Sequence, residues 1–394
     1  MVLKNLNIYK KTSLIIISLI ALYSIAVFFK YYLNNNAYEF DPWLSNYQGG
    51  FVRRGLPGEI FYIFYQFLKI NPAIITLIFV SLLYVYFYWS LLKNLLNLKI
   101  SRLLLLVLFS PLALFFPIIN SKAIGHKEIL FFVSFFIFYL LIKKFEKFYL
   151  AFFLTILIIF LGLSYEALLF YSPYLIILFF FKGFNSYKEF FYYLFYFSTI
   201  SLSILLINYV FKGNSFIVSQ ICDSVINFVN PNCETVGKIA DLKLSVQDHT
   251  IQKTGSEGAL NLYKNYFFIY PLGAIYGLSP LLIFLFCSSF TDKKIKDLNL
   301  LLVFASLFIL TIPVYYFGAD WGRYLNITNI SSIILILILI NEKKIKIKNN
   351  FIIYQLNKIP KFIFLIFVFL YALSFSVPIC CQTSFKLGLL KFFL

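Results

Sequence analysis

The sequence predicts an all-α, polytopic integral membrane protein. Hydrophobic residues make up 61% of the 394 residues and charged residues only 13%, whereas soluble domains are about 25% charged. Apolar runs of about 20 residues recur along the whole chain, and each is long enough to cross a hydrocarbon core of ~30 Å. Lysines gather in the short segments between these runs, as expected of loops that set orientation.

The first predicted span, about 14–33, follows an N-terminal segment with three lysines and no acid, which we expect in the cytoplasm. The run is too long for the core of a signal peptide and lacks a clear small-residue cleavage site, so we expect it to be retained. It leads to a first outer segment, 34–71. Within that segment, 57–70 is apolar but too short to cross, which predicts an interfacial or re-entrant helix.

Ten further spans complete a prediction of about eleven, with the N-terminus inside and the C-terminus outside. They are 72–92, 103–119, 129–142, a span ending near Ser164–Glu166, a span returning to Lys182, 190–211, 266–288, a span ending at Gly318–Arg323, 325–341 and 362–379. One long polar loop, 212–265, is then periplasmic, and residues 1–394 form a single membrane domain.

Charge supports this orientation. Lysine and arginine outnumber acids by 20 to 5 in the predicted cytoplasmic segments and by 14 to 11 in the outer ones. Reading 57–70 as a full span would move the lysine-rich loops outside, against the positive-inside rule. Because orientation explains most of the net charge of +18, we expect the lipid bilayer, and no nucleic acid, as a partner.

The stretch from Gln48 to Glu59 is glycine-rich, which predicts an irregular backbone. It carries Arg53 and Arg54 on the predicted outer side, in a chain with only four arginines and thirty lysines. A guanidinium binds two phosphate oxygens at once, whereas an ammonium is a point charge. We expect Arg53, Arg54 and the outer Arg323 to bind phosphate groups of a lipid substrate; the alternative is that they anchor the chain to lipid headgroups.

Four titratable residues on the predicted outer side are candidates for general acid–base catalysis. They are Asp41, His126, Glu166 and Asp320. Glu166 ends an otherwise apolar span, where an ionisable group is a candidate functional residue or one half of a pair with a nearby lysine or arginine. Asp320 either orients Arg323 at a phosphate or simply pairs with it. Trp321 between them is a candidate for stacking on a sugar ring.

Cys222 and Cys233 both fall in the long outer loop, where an oxidising compartment would allow a disulfide. Spacing alone cannot establish that pairing. No Cys/His spacing resembles a zinc site, and the sequence has no Walker A, Rossmann or Gly-x-Ser-x-Gly motif. We therefore expect neither a metal nor a nucleotide cofactor.

A chain rich in lysine, phenylalanine, tyrosine and isoleucine, with about eleven spans, one large outer loop and arginines gathered outside, resembles the O-antigen polymerase (Wzy) family of Gram-negative bacteria. The resemblance implies a membrane-embedded glycosyltransferase of the bacterial inner membrane. It implies the joining of undecaprenyl-diphosphate-linked oligosaccharide repeat units at the periplasmic face, as part of lipopolysaccharide biosynthesis. Arg53, Arg54 and Arg323 match the outer arginines that engage the diphosphates, and a chain-length regulator and a flippase are the implied partners.

Two other functions fit parts of the pattern. A glycosyltransferase that uses a polyprenyl-monophosphate sugar often has an acid in its first outer loop followed by interfacial helices, an outline that Asp41 and 57–70 match. A lipid-linked oligosaccharide flippase or transporter needs charges within the spans and usually shows two related halves. The spans here carry almost no charge, which disfavours transport.

Overall fold

The protein is described by a computed structural model that covers residues 8–34, 40–183, 186–211, 213–226, 228, 246–291, 299–318, 320–348, 350–380 and 386–389. It is mostly helical, at 78%. The α-helices of the described part are α1 (Ile8–Leu33), α2 (Leu56–Leu68), α3 (Pro72–Leu96), α4 (Arg102–Leu108), α5 (Phe116–Ile119), α6 (Glu128–Lys144), α7 (Lys147–Ser164), α8 (Ser172–Phe180), α9 (Tyr187–Val210), α10 (Ser215–Val225), α11 (Val246–Phe286), α12 (Leu300–Phe317), α13 (Trp321–Asn341), α14 (Phe351–Lys358) and α15 (Lys361–Leu373).

Six helical segments are long and apolar enough to cross a membrane, which confirms the predicted all-α membrane class. They are Ile8–Leu33, Pro72–Leu96, Lys147–Ser164, Lys188–Val210, Lys264–Phe286 and Trp321–Asn341. A seventh crossing is added if α14 and α15, which meet at a bend of 108°, form one broken span. The full count of eleven spans and the orientation of the chain stay predictions.

Side-chain caps explain where several helices begin. The side chains of Ser101, Asn214 and Asn350 accept hydrogen bonds from backbone N–H groups in the first turns of α4, α10 and α14. Such short polar side chains satisfy one of the N–H groups that a helix leaves without an internal partner. The sequence therefore encodes these boundaries locally.

The predicted span 103–119 is not a continuous helix, because it breaks between α4 and α5. Residues 109–115 are all buried and follow an irregular path through Ser110 and Pro111, and proline disfavours a helical conformation in the residue before it. Asn326 of α13 donates its amide N–H groups to the carbonyls of Leu112 and Ala113 at 2.9 and 3.2 Å. Irregular backbone at membrane depth is tolerated where protein satisfies it in this way.

We expect Asn326→Leu to lower the stability of the protein. Leucine has a similar branched shape but no N–H group, so the buried Leu112 carbonyl loses its side-chain donor and the Ala113 carbonyl keeps only the backbone N–H of Phe116, at a cost of about 1–3 kcal/mol. The midpoint of thermal unfolding in detergent should fall by several degrees. Ser306→Ala, at an exposed position of α12, is the control. An unchanged midpoint for Asn326→Leu would show that the break is held by other contacts.

The chain divides into two compact units. Unit 1 comprises Met1–Ser24, Tyr88–Ala123 and Val246–Leu394, and unit 2 comprises Ile25–Phe87 and Ile124–Ser245. In unit 1, α11 packs against α4, α12 and α13, and α13 is 83% buried. Two short antiparallel strand pairs, β1 (Ser288–Phe290) with β2 (Ile345–Ile347) and β3 (Phe375–Ser376) with β4 (Lys386–Leu387), also belong to unit 1.

Unit 2 is built around the contact between α7 and α9. Asn208 of α9 donates its amide N–H to the backbone oxygen of Gly162 at 3.0 Å. The other side of α9 exposes large apolar side chains, such as Phe191 and Phe195, as expected of a surface that faces lipid. Unit 2 also contains α2, a 13-residue helix at the predicted position 57–70. Its interfacial or re-entrant placement stays a prediction.

Candidate functional site

The Arg53–Arg54 pair lies in a tight turn of unit 2, directly before α2. The backbone N–H of Gly55 donates to the oxygen of Val52 at 3.3 Å and closes the turn. Arg54 has a φ of 63°, a left-handed conformation that is uncommon for residues with a Cβ atom. Strained residues of this kind persist where the surrounding structure holds them, often at functional sites. The turn is therefore the first candidate site.

Arg54 holds Glu166 with two guanidinium nitrogens. Its Nε donates to Oε2 of Glu166 at 2.8 Å, and its Nη2 donates to Oε1. Arg53 Nη1 lies 3.4 Å from the same Oε1, and the Arg54 guanidinium lies over the Tyr165 ring, 4.5 Å from its centroid. Two-pronged, charge-assisted contacts are among the strongest hydrogen bonds in proteins. The sequence left Glu166 as a functional residue or as one half of a pair with a lysine or arginine. The structure shows the pair with arginine.

Lys127 joins these residues from the position just before α6. Its Nζ donates to the backbone oxygen of Arg54 at 2.8 Å and lies 5.8 Å from the centre of the Trp43 ring. The residue is only 4% exposed. Trp43 is fully buried and donates its indole N–H to the oxygen of Gly125. Lys127 thus supports the carbonyl group of the strained arginine.

These four residues, Arg53, Arg54, Lys127 and Glu166, form what we call the cationic cluster. It places three basic side chains around one carboxylate. The side chains of the arginines and of Glu166 are 14 to 22% exposed. Basic side chains outnumber the acidic one among these four residues, so the cluster would attract an anionic ligand. Phosphate oxygens match both the charge and the fork of arginine donors.

The surroundings shift two pKa values in the cluster. Burial alone would raise the pKa of Glu166, but the charges of Arg54 and Arg53 and the hydrogen bonds from Arg54 outweigh it and lower the pKa to about 2. Burial, reinforced by the charge of Arg54, lowers the pKa of Lys127 well below the ordinary lysine value, while Glu166 acts in the opposite direction. Glu166 therefore stays ionised, and the charge of Lys127 depends on its neighbours.

The lowered pKa of Glu166 predicts how stability changes with pH. Its pKa is below the ordinary glutamate value of about 4.3, so the ion pair stabilises the fold fully above that pH and loses its contribution as pH falls towards 2. In a Lys127→Met background, which removes the coupled amine, the difference in thermal midpoint between Glu166 and Glu166→Gln proteins should therefore stay constant from about pH 8 to 5 and shrink below about pH 4. A difference that already shrinks at pH 6 would contradict the arginine pairing.

The arginine turn is fixed on two sides. Glu59 of α2 accepts hydrogen bonds from the Tyr47 backbone N–H at 2.8 Å and from the Gln48 side chain. Val52 is buried against Ile221 and Cys222 of α10. Hydrogen bonds to the Glu59 carboxylate therefore fix one side of the turn, and apolar packing fixes the other. Together these contacts hold the backbone that carries the two arginines.

Cys222 is disulfide-bonded. Cys233 lies outside the described residues, so the Cys222–Cys233 pairing stays a prediction. The described parts of the predicted loop 212–265 are largely helical, because α10 occupies its beginning and α11 starts at Val246.

The remaining acid–base candidates of unit 2 are only partly placed. His126 is buried and precedes Lys127 in the chain, so it enters the same part of unit 2. Asp41 begins a short 3-10 helix, Asp41–Trp43, but its side chain lies outside the described residues. The catalytic roles of Asp41 and His126 stay predictions.

Asp320, Trp321 and Arg323 belong to unit 1, at the start of α13. Arg323 Nη1 donates to Asp320 Oδ2, so the simple pairing of these two side chains is present. Trp321 packs edge-on or tilted against four rings, those of Tyr266, Phe267, Tyr270 and Tyr315. Its indole N–H donates to the backbone oxygen of Tyr315 at 2.8 Å. These contacts give Trp321 a packing role, and its predicted sugar contact is untested.

Sequence reasoning missed the part played by Lys127. In the sequence Lys127 lies between His126 and Glu128, but lysines are abundant throughout the chain. The one available signal was a basic residue between two titratable ones just before an apolar helix. Among the residues that the structure describes, no group of three His, Cys, Asp or Glu side chains could hold a metal ion.

We compared the chain with protein-family models, curated proteins and solved structures, and none of these comparisons gave a match.

Proposed function

We propose that this protein is a membrane glycosyltransferase that polymerises undecaprenyl-diphosphate-linked oligosaccharide units. The observation that supports this most is the cationic cluster, which presents an excess of positive charge on side chains suited to phosphate. The proposal includes eleven spans, with the N-terminus inside and the arginine turn at the periplasmic face of a bacterial inner membrane. The bias of lysine and arginine towards the predicted cytoplasmic segments supports that orientation.

In the proposed reaction, a sugar hydroxyl of one lipid-linked unit attacks the anomeric carbon of a chain carried on undecaprenyl diphosphate. The new glycosidic C–O bond forms while the bond between the anomeric carbon and the diphosphate oxygen breaks. Arg53 and Arg54 stabilise the charge that develops on the departing diphosphate, and Arg323 of unit 1 stays a separate predicted phosphate-binding residue. Because that leaving group is already good, no metal or nucleotide sugar is required.

The proton of the attacking hydroxyl passes to a general base. Glu166 suits this role poorly, because Arg54 holds both of its oxygens and its pKa is lowered to about 2. We assign Glu166 to positioning the arginines. Asp41, His126 and Asp320 remain the candidate bases.

A second candidate function is transfer of a single sugar from a polyprenyl monophosphate. The α2 helix, which directly follows the arginine turn, favours this alternative, because it matches the expected interfacial helix after the first outer loop. A flippase or transporter is the third candidate, with less support.

The test is a deletion of the gene in its own host, followed by gel analysis of the extracted lipopolysaccharide. We expect the ladder to collapse to core plus one repeat unit, and wild type to restore it. Lys122→Gln, an exposed lysine of unit 1, should restore it equally at a matched membrane level. An intact ladder after deletion would exclude the polymerase, whereas a shift of every rung would indicate a transferase that adds one sugar.

A further inference from the structure

The cationic cluster contains one basic residue that can change its charge. Arginine is not deprotonated in proteins, so Arg53 and Arg54 stay positive. A lysine amine readily loses its proton when it is buried. Lys127 is 4% exposed and is held against the carbonyl of Arg54 at 2.8 Å. The repulsion among the three basic groups is therefore relieved most easily at Lys127.

Charged groups reach Lys127 from each element packed around it. Arg54, in the turn before α2, opposes the protonated amine, and Glu166, which follows α7, favours it. Glu166 is itself shared with Arg54 and Arg53, which weakens its effect. In the chain, Lys127 is flanked by His126 and by Glu128, both buried. The Trp43 ring favours the ammonium form at a distance of 5.8 Å.

We propose that Lys127 takes up a proton when the phosphate group of the substrate binds, so that the cluster binds anion and proton together. This inference rests on the proposed function, because it assigns the diphosphate of the lipid-linked substrate to this cluster. The proton comes from solvent and is bound by the lone pair of Nζ. The resulting ammonium has three N–H groups, of which the Arg54 carbonyl accepts one, and the proposal assigns the other two to oxygens of the bound phosphate.

The coupling of proton uptake to anion binding would increase the selectivity of the cluster for charged ligands. With no anion bound, burial and the charge of Arg54 favour the neutral form of Lys127, in which the cluster has two positive charges against one negative. When an anion binds, Lys127 takes up a proton. Its ammonium group then adds a third positive charge to the cluster. The difference in affinity between a ligand with several negative charges and a neutral one is then larger than the two arginines alone would give.

The first experiment measures proton uptake on binding. Farnesyl diphosphate is titrated calorimetrically into the full-length protein in detergent at pH 8, where its phosphates are almost fully ionised, in two buffers of different ionisation enthalpy. We expect uptake of about one proton by wild type, and an affinity that falls by up to tenfold per pH unit above the lowered pKa of Lys127. Lys122→Met, at an exposed lysine, should behave as wild type.

Two variants distinguish the effect of a positive charge at position 127 from the effect of proton uptake there. Lys127→Met should bind more weakly with no proton uptake. Lys127→Arg keeps the charge permanently and should bind with no proton uptake and no comparable pH dependence, which also covers the case in which the methionine variant fails to fold. Competition by inorganic diphosphate distinguishes a site that reads only the phosphates from one that also needs the lipid.

Each outcome decides a different question. Binding by wild type without proton uptake, or with uptake that persists in both Lys127 variants, overturns the inference and leaves the proposed function standing. No binding of farnesyl diphosphate by wild type overturns both. Binding that is lost in Arg54→Ala, with proton uptake in wild type alone, supports both.

Discussion

Replacing Arg54 by lysine is expected to lower the proposed polymerising activity by about 100-fold, although the positive charge is kept. Lysine cannot donate to both oxygens of Glu166 from one planar group, and it loses the contact of the guanidinium with the Tyr165 ring. Truncating one partner of a buried, hydrogen-bonded charge pair costs about 2–5 kcal/mol, and about 2.7 kcal/mol corresponds to a 100-fold change. The left-handed backbone at position 54 is equally strained with either residue, so it does not contribute to the difference.

The measurement is the amount of polymer restored in the deletion host, at matched membrane levels of each variant. Glu166→Gln and the double variant complete a cycle that isolates the interaction between the two side chains. If the two residues act as a unit, the double variant should lose little more activity than either single one. Full activity of Arg54→Lys would show that charge alone is sufficient and would remove the argument for two-pronged binding.

Replacing Gly58 by alanine is expected to disrupt the fold around the arginine turn. A Cβ atom at Gly58, in the first turn of α2, would lie 2.0 Å from the backbone oxygen of Ser45. Backbone atoms cannot move aside as a flexible side chain does, so α2 must separate from the segment after Trp43. Overpacking in a buried region costs about 1–3 kcal/mol, occasionally more, and this contact falls at the upper end.

The test compares the level of folded protein in membranes and its thermal midpoint in detergent. Gln66→Ala, at an exposed position on the same helix, is the matched control and should change neither. Gly58→Ala should lower both, and activity should fall with them because the arginine turn loses its support. A variant with a normal midpoint would mean that α2 does not pack on the segment at Ser45 as described.

Parts of the fold followed directly from the sequence. Each segment that is long and apolar enough to cross a membrane is also predicted as a span from the sequence, because its apolar length matches the thickness of the hydrocarbon core. The break at 109–115 was missed, because residues 103–119 read as one apolar run and periodicity does not report where a buried helix is interrupted. The amide of Asn326, more than 200 residues away in the chain, is one of the groups that hold the interrupted segment, together with Asn329 at the Ser110 side chain and hydrogen bonds within the break itself.

By itself, the sequence determined the membrane class, most of the long helices and the irregular, arginine-bearing turn before α2. These features depend on local composition, since apolar length, glycine content and capping side chains act within a few residues of where they stand. Tertiary structure alone decided that Glu166 pairs with Arg54 and that Lys127 supports the strained arginine, whereas the pairing of Asp320 with Arg323, three residues apart, was already one of the two possibilities in the sequence. The contacts to Arg54 join segments about 70 and 110 residues apart, and charge complementarity at such separations becomes specific only once the chain has folded.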